Sequence, residues 1–190
     1  MAYHGVKFRT QFLQGNVQFQ NINELIEWCN IFAKHELAPT HPEGSYGNLS
    51  VRFDGGMLIT ATSVDLGAKL SAQNFVYVSE CNYEDFLVTA TGAKAPSSET
   101  PIHWALYNAR PEIQAIFHGH DQSILDAADT INIPVTSQEQ EYGSLELVKE
   151  VLALKQHNFF VMRNHGFISL GKTMNEAGNL ALDVLQRLKK

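Results

Sequence analysis

Five stretches of the chain carry apolar residues every three or four positions, the spacing that lines one face of an α-helix. The first stretch, residues 22–37, follows Asn21 and ends just before Pro39, which are common signals of a helix start and stop. Pro101 is tolerated only in the first turn of a helix, so it places the start of the second near residues 98–100. The remaining predicted helices cover residues 123–128, 145–156 and 175–188.

Alternating or wholly apolar runs between these helices predict β-strands. Leu49, Val51 and Phe53 alternate with polar residues, and the Asp54-Gly55 dipeptide that follows favours a tight hairpin. Further strands are predicted at residues 57–60, 74–78, 85–90, 113–117, 134–135, 158–162 and 166–170. Short strands that alternate with helices indicate an α/β fold with a mixed or largely antiparallel central sheet flanked by helices. Residues 1–20 show no clear period and are interpreted as an N-terminal arm that precedes one domain at 21–190.

The composition is that of a globular protein, with 44% hydrophobic and 18% charged residues. A net charge of −6 and the lack of a basic stripe argue against nucleic-acid binding. No apolar run approaches the ~20 residues that a membrane-spanning helix needs, and the first residues lack the pattern of a signal peptide. Cys29 and Cys81 stand in unrelated contexts, which does not suggest a disulfide framework. These features predict a cytoplasmic protein that binds neither nucleic acid nor a membrane.

Two histidines separated by one glycine follow a predicted strand, in the order His118-Gly119-His120. In an extended chain, such residues point to the same face and lie roughly 7 Å apart at Cα. Two imidazoles in this arrangement can bind one metal ion, and the small Gly119 between them allows a close approach. The alternative is a pair of surface histidines at a strand end.

A carboxylate begins the second predicted helix. Glu99 stands in its first turn, where the helix dipole favours a negative charge, and this alone is a sufficient reason for the residue. Ser97 and Ser98 are cap residues by default, but their hydroxyl and N–H groups can also bind a phosphate. His103, one helical turn after Glu99, is interpreted as a packed histidine rather than as a partner of the carboxylate.

Several other polar residues lie in predicted loops. Asn48, Thr62 and Ser63 offer the same kind of donors as the two serines, and none of them indicates a site alone. His165 lies between a buried strand and Gly166, where a turn can present its ring. The other histidines have no supporting context and are predicted to be surface residues: His4, His35, His41 and His157.

Taken in order, these residues resemble the class II aldolase/adducin family, of the L-fuculose-phosphate aldolase type. The matching segments are Gly47–Arg52, Leu58–Ser63, Pro96–Glu99 through Tyr107 with Arg110-Pro111, Phe117–His120, Glu141–Leu147 and Asn164–Gly166. The resemblance covers the chain from about Ile22 to Leu188. It implies a three-layer fold with a central, mostly antiparallel sheet flanked by helices, and a homotetramer with its sites at subunit interfaces.

The resemblance also implies a role for each candidate residue. His118, His120 and His165 would bind a divalent metal, with Zn²⁺ the expected ion, and Glu99 would be a fourth ligand or the base. The phosphate of a small phosphorylated sugar would be held by five further residues: Asn48, Thr62, Ser63, Ser97 and Ser98. Three neutral imidazoles leave such an ion positively charged, with an open coordination position for substrate.

The reaction implied by the resemblance is a retro-aldol cleavage of a ketose 1-phosphate through a metal-stabilised enediolate, which yields dihydroxyacetone phosphate and an aldehyde. Pentulose-phosphate 4-epimerases, methylthioribulose-phosphate dehydratases and related decarboxylases use the same metal ligands and are the alternatives. A non-catalytic, adducin-like interaction domain is an alternative of another class. Adducin-type relatives lose the metal ligands, whereas all four are present here.

The sequence departs from the aldolase pattern at four places. Ser63 stands where a glycine is usual, and Asp121 directly follows the second histidine, where it could contact His120 or change the charge of the pocket. The span from His120 to Tyr142 is expected to be short, and the chain stops at Lys190 without the tail that supplies a tyrosine to a neighbouring subunit. The proton donor therefore has three candidates, which are Tyr142, Tyr46 and Glu141.

Overall fold

An eight-stranded mixed sheet runs through the centre of the protein, in a computed structural model that describes residues 7–15 and 18–188. Its strands are β1 (Arg9–Phe12), β4 (Asn48–Phe53), β5 (Gly56–Thr60), β6 (Phe75–Asn82), β7 (Leu87–Thr91), β8 (Ala115–Gly119), β9 (Phe159–Met162) and β10 (Gly166–Gly171); a separate small hairpin contains β2 (Thr40–His41) and β3 (Gly44–Ser45). The strand order is β1-β7-β6-β5-β4-β8-β10-β9. Only the β1–β7 pair is parallel among the described strands, which confirms a mostly antiparallel sheet.

Helices cover both faces of this sheet. They are α1 (Ile22–Lys34), α2 (Thr100–Ala109), α3 (Gln122–Ala127), α4 (Leu145–Ala153) and α5 (Met174–Leu188). Phe117 of β8 packs against Trp28 and Phe32 of α1, with ring centroids 5.9 and 5.4 Å apart. Neighbouring strand residues point to opposite faces, so His118 faces the layer that contains α2 and α4. The predicted three-layer architecture is confirmed. No described helix combines the length and the hydropathy that a bilayer crossing requires.

The hairpin predicted from Asp54-Gly55 is present. Phe53 pairs with Gly56, so only two residues connect β4 to β5. Asp54 and Gly55 have φ values of +47° and +77°, the left-handed conformation at both central positions of a type I′ turn. This connection sets the register of β4, and β4 carries several of the polar residues described below.

Other boundaries differ from the prediction. The first helix ends at Lys34 instead of residue 37, because Glu36 takes a left-handed φ of +60° that an α-helix cannot continue through. Leu37 is nevertheless fully buried, which explains why it belonged to the apolar pattern. The strand predicted at residues 134–135 is wrong: Val135 makes only an isolated bridge to Val161.

The segment predicted as an arm contributes a strand. Residues 9–12 form β1, which pairs with β7 at the edge of the sheet and is largely exposed. An exposed edge strand needs no alternation of apolar and polar residues, so the sequence pattern did not indicate it. The division into an arm at 1–20 and a domain at 21–190 stays a prediction. Residues 1–6, 16–17 and 189–190, and with them the interpretation of His4, lie outside the described residues.

Helix α2 is joined to β4 by a row of buried and half-buried polar contacts, called here the polar ladder. Asn48 Nδ2 donates to Glu99 Oε2 at 2.8 Å, Ser50 Oγ lies 2.7 Å from His103 Nδ1, and Arg52 donates to the Tyr107 carbonyl at 2.7 Å. Residues two apart in a strand rise by about 6.7 Å, and residues four apart in a helix rise by about 6 Å. The two spacings nearly match, so every second residue of β4 meets every fourth residue of α2.

His103 occupies the middle rung of the polar ladder and is completely buried. The interpretation of His103 as a packed histidine is confirmed, with the Ser50 hydroxyl as its partner. Ser50 Oγ also lies 3.0 Å from the Tyr107 hydroxyl, so the three side chains form one hydrogen-bonded group. Burial lowers the pKa of His103 to about 3, against the opposing attraction of Glu99, and the ring is neutral at pH 7.

This burial makes folding stability depend on pH. Unfolded His103 titrates near pH 6.5 while the folded residue titrates near 3, so the unfolded state binds more protons between these values. The contribution to stability is complete above about pH 6.5 and is lost as the pH falls toward 3. We expect a loss of about 2 kcal/mol between pH 7 and pH 5 from this residue.

The measurement is the free energy of unfolding in urea at both pH values for the wild type and His103→Gln. The variant should be less stable than the wild type at pH 7, but its free energy of unfolding should fall less between pH 7 and pH 5. The control, His157→Gln, changes a histidine outside the polar ladder and should keep the wild-type decrease. An equal decrease in the His103 variant would contradict the assignment.

Candidate active site

Three imidazoles converge at one end of β8. His118 lies in β8, His120 follows it directly, and His165 lies in the turn between β9 and β10. Their ring centroids are 4.7 to 5.2 Å apart, and one nitrogen of each ring lies within 4.8 Å of the others. The antiparallel pairing of β8 with β10 brings the distant His165 to the His118-Gly119-His120 segment.

Two glycines make the close approach of these rings possible. A Cβ on Gly119 would lie 2.6 Å from the Leu37 carbonyl oxygen and 2.5 Å from the Phe167 ring. A Cβ on Gly166 would lie 2.6 Å from the His118 ring and 2.5 Å from the Gly119 carbonyl oxygen. Because real Cβ atoms do not approach backbone oxygens so closely, neither position accepts a side chain without a shift of the strands.

A backbone carbonyl group fixes the orientation of the His118 ring. Its Nδ1 lies 2.8 Å from the backbone carbonyl oxygen of Phe167, an acceptor that requires the proton on Nδ1. The lone pair of the neutral ring is therefore on Nε2. That nitrogen lies 2.9 Å from His120 Nε2 and 2.9 Å from Glu99 Oε2.

Glu99 completes the cluster. It is the N-cap of α2, and its carboxylate is buried, with Oε1 2.8 Å from His165 Nε2 and Oε2 2.8 Å from the donor Asn48 Nδ2. Burial alone would raise the pKa of Glu99, but the attraction of His118 and His165 outweighs it and holds the pKa well below its usual value. A buried carboxylate therefore lies within hydrogen-bonding distance of two ring nitrogens, those of His118 and His165.

This donor set fits a divalent cation. Nε2 of His118 and a Glu99 oxygen lie 2.9 Å apart, a distance at which a positive charge must lie between them, either a shared proton or a metal ion. Burial, together with His118 and His165, lowers the pKa of His120 well below its usual value, so this ring is neutral at pH 7. Neutral imidazoles and a carboxylate are the ligands that Zn²⁺ and similar ions prefer.

The cluster opens into a cavity of about 370 Å³. The five residues predicted to hold a phosphate all line this cavity together with Glu99, His120 and His165: Asn48, Thr62, Ser63, Ser97 and Ser98. Ser97 and Ser98 are buried directly before α2, at the positive end of its dipole. The structure thus brings together all nine predicted site residues, eight along the cavity and the buried His118 behind them.

Ser63 has a left-handed backbone, with a φ of +55°. Glycine adopts this conformation at little cost, whereas a residue with a Cβ does so rarely. The glycine that is usual at this position in the aldolase pattern therefore has a conformational reason. In this protein a serine adopts the left-handed conformation and adds a hydroxyl group to the loop, next to Thr62.

The structure also shows where Asp121 and the three candidate proton donors lie. Asp121 is the N-cap of α3, and its carboxylate accepts a hydrogen bond from the Ile124 N–H at 2.9 Å. Of the candidate proton donors, Tyr46 and Tyr142 line the cavity. Glu141 does not line it and forms an ion pair with Lys7.

Sequence reasoning missed other residues of the cavity. His41, predicted to be a surface residue, is half-buried and lines the cavity with Glu43 and Thr60. The hydroxyl of Thr60 is buried and has no hydrogen-bond partner within the described protein. Nothing in the sequence around His41 indicates the cavity, because the small hairpin that carries it contacts the site only through tertiary packing.

Comparison with known proteins agrees with this geometry. The family described as Class II Aldolase and Adducin N-terminal domain matches residues 23–188. An L-fuculose phosphate aldolase of Haemophilus influenzae is 31% identical over 160 residues, which cover 75% of this chain and 70% of that protein. A 5-methylthioribulose-1-phosphate/5-deoxyribulose-1-phosphate aldolase of Escherichia coli is 29% identical over 151 residues, or 70% of this chain and 67% of that protein.

The comparison with solved structures shows a similar fold. The solved structure of an L-fuculose 1-phosphate aldolase superposes with a TM-score of 0.73 at 24% identity, covering 91% of this chain and 85% of that one. The prediction of a class II aldolase-type lyase is confirmed at the level of the family. From the order of its motifs, its three-layer fold and the matched length, the chain belongs to the class II aldolase and adducin N-terminal domain family.

Proposed function

We propose that the protein is a divalent-metal-dependent aldolase that cleaves a ketose 1-phosphate to dihydroxyacetone phosphate and an aldehyde. The observation that carries the proposal is the convergence of His118, His120, His165 and Glu99 on a cavity that also contains a set of uncharged hydrogen-bond donors. The relatives whose names include L-fuculose phosphate or 5-deoxyribulose-1-phosphate support a phosphorylated ketose as substrate.

The phosphate end of the cavity is proposed to consist of Thr62, Ser63, Ser97 and Ser98, with Asn48 between them and Glu99. Neither lysine nor arginine is found among the described residues that line the cavity. Hydroxyl groups and the N-terminus of α2 bind a dianion through dipoles, so the bound phosphate does not bring a cationic side chain close to the metal.

The metal end would be formed by the three histidines, with Glu99 beside them. A bound divalent cation would polarise the substrate carbonyl and stabilise the negative charge that develops on its oxygen. The Phe167 carbonyl keeps the proton of His118 on Nδ1 and directs Nε2 toward the site. The buried position of Glu99 allows it to exchange a proton with the carbon at which the bond breaks.

The proton balance of the cleavage needs a second group. The hydroxyl proton on the far carbon must leave as the carbon–carbon bond breaks, and the electron pair stays on the phosphorylated fragment, which then takes up a proton. Glu99 is assigned to the second transfer, for which its carboxylate first takes up a proton from water in the cavity. Tyr46 and Tyr142, which line the cavity, are the proposed candidates for the first.

Zinc as the ion, a homotetramer with sites at its interfaces and a cytoplasmic location also belong to this proposal. The three imidazoles and the adjacent carboxylate support zinc as the ion, and the family resemblance is the ground for the tetramer and the location. Epimerase and dehydratase reactions on the same ligands give products other than an aldehyde and dihydroxyacetone phosphate, so product analysis separates them.

The first test is a panel of phosphorylated ketoses assayed with Zn²⁺-, Co²⁺- or Mn²⁺-loaded protein. We expect at least one of three substrates to release dihydroxyacetone phosphate: L-fuculose 1-phosphate, 5-deoxyribulose 1-phosphate or 5-methylthioribulose 1-phosphate. Coupled detection of that product together with mass spectrometry of the mixture gives the reaction type. Epimerised or dehydrated products without cleavage would show that the protein catalyses epimerisation or dehydration instead. Protein without affinity for any of the three ions would refute the proposed reaction.

The second test concerns Glu99. We expect Glu99→Gln to retain the fold and most metal affinity while kcat falls by ~10² to 10⁴, the usual contribution of a positioned acid–base group. Glu146→Gln is the matched control, because Glu146 is an exposed carboxylate in the first turn of α4. Turnover as fast in the Glu99 variant as in this control would show that Glu99 serves only as a helix cap.

The third test concerns metal binding. His118→Ala removes a buried ligand and the Phe167 contact behind it, so the purified protein should lose most of its bound Zn²⁺ after dialysis. Bound metal is measured by plasma mass spectrometry, with His157→Ala as the control outside the cluster. Full stoichiometry in the His118 variant would remove this residue from the ligand set.

A further inference from the structure

We infer that Lys7 is a positioning residue for the substrate site, where it holds the ring of Tyr142 in place as part of the cavity wall. The inference rests on the proposed function, because it takes the phosphorylated half of a ketose phosphate as the occupant of the cavity. Lys7 lies before residue 23, where the match to the family begins, so the family pattern does not account for it.

Lys7 makes two contacts with the segment that carries Tyr142. Its ammonium group lies over the Tyr142 ring, 4.5 Å from the ring centroid, and forms an ion pair with the Glu141 carboxylate. A cation over the face of an aromatic ring is attracted by the negative charge of that face. Only 24% of the Lys7 side chain is exposed, which is low for a residue type that is mostly exposed. The lysine therefore packs on the tyrosine instead of extending into water.

The residues that follow Lys7 are anchored in the protein. Phe8 is 7% exposed and belongs to the hydrophobic core. Residues 9–12 then pair with β7 as strand β1. Because both the core and the sheet hold this part of the chain, Lys7 is a fixed support for the side chain on which it packs.

Gly143 places Tyr142 near the start of α2. A Cβ on Gly143 would lie 3.3 Å from the Ser98 carbonyl oxygen and 3.5 Å from Lys7 Cδ, so the segment contacts both. Ser98 belongs to the serine pair proposed to hold the phosphate. Tyr142 lines the cavity, whereas Lys7 is not among the described residues that line it. Lys7 therefore acts on the substrate through the Tyr142 ring.

A ring held in place before the substrate arrives strengthens binding. A side chain that is mobile in the free protein must be ordered when the ligand binds, and this ordering reduces the affinity. Removal of the Lys7 ammonium group should therefore weaken the binding of the phosphorylated half of the substrate. The effect needs the ring of Tyr142 and not its hydroxyl group, since the cation interacts with the ring face.

The experiment measures by calorimetry how Zn²⁺-loaded protein binds dihydroxyacetone phosphate, the phosphorylated half of the proposed substrate. Lys7→Met removes the charge and keeps an unbranched side chain. We expect Kd to rise about threefold, the size of one cation–π contact. Lys7→Arg keeps a cation that can stack on the ring and should restore the wild-type Kd. The control, Lys149→Met, changes an exposed lysine of α4 and should leave Kd unchanged.

A double-mutant cycle tests whether Lys7 acts through the ring. In a Tyr142→Leu protein, Lys7→Met should have no further effect on Kd, whereas in a Tyr142→Phe protein the threefold effect should remain. An undiminished effect in the Tyr142→Leu protein would show that the charge of Lys7 acts directly on the phosphate, which would overturn the inference. Equal Kd values for Lys7→Met and the wild type would also overturn it.

Hydrogen exchange tests the same support without any ligand. The Ser144 N–H donates to the Glu141 carbonyl at 3.2 Å, so its exchange rate, measured by NMR, reports on the order of this segment. The rate should rise about threefold in Lys7→Met and stay unchanged in Lys149→Met. An unchanged rate in Lys7→Met would contradict the role of Lys7 as a support.

The outcomes separate this inference from the proposed function. Faster Ser144 exchange and weaker binding of dihydroxyacetone phosphate in Lys7→Met would support the inference even if the wild type cleaves no ketose phosphate, a result that would refute the proposed reaction. A wild-type protein that does not bind dihydroxyacetone phosphate would refute both.

Discussion

The polar ladder between β4 and α2 is the constraint on which the site depends. Its groups are buried or half-buried, and buried polar groups are costly unless they find partners. Only one rotation and one register of α2 satisfy the Asn48, Ser50 and Arg52 rungs at the same time. The helix therefore cannot slide or turn without losing several bonds, and Glu99 at its start is held against the histidines of the neighbouring strand.

The pairing of β4 with β8 positions the histidine side of the cluster. Asn48 of β4 is the register partner of His118 in β8, so the residue that orients the carboxylate lies beside the residue that faces it. On the other side of β8, Phe117 packs into the apolar layer of α1. The alternation of one strand thus separates the core from the site, and a change that shifts its register would damage both.

Much of this site could be predicted from local sequence patterns. The His118-Gly119-His120 segment, the serines and Glu99 before α2, and the Asp54-Gly55 turn all carry local signals, and the structure has them as expected. His41 and the edge strand β1 could not be predicted in this way. His41 reaches the cavity only because its hairpin stacks on Tyr46, and β1 is exposed enough to lack a hydrophobic period. Both depend on contacts between segments that are distant in the sequence.

The histidine and carboxylate cluster has a consequence for the whole chain. A cation held by Glu99, His118, His120 and His165 would act as a reversible cross-link between three segments that are far apart in the sequence. Ligands that come together only in the folded state couple ion binding to folding. A higher concentration of free ion would therefore increase the free energy of unfolding. The stability of the folded protein would then depend on the concentration of the ion, and its lifetime would vary with the ion content of its surroundings.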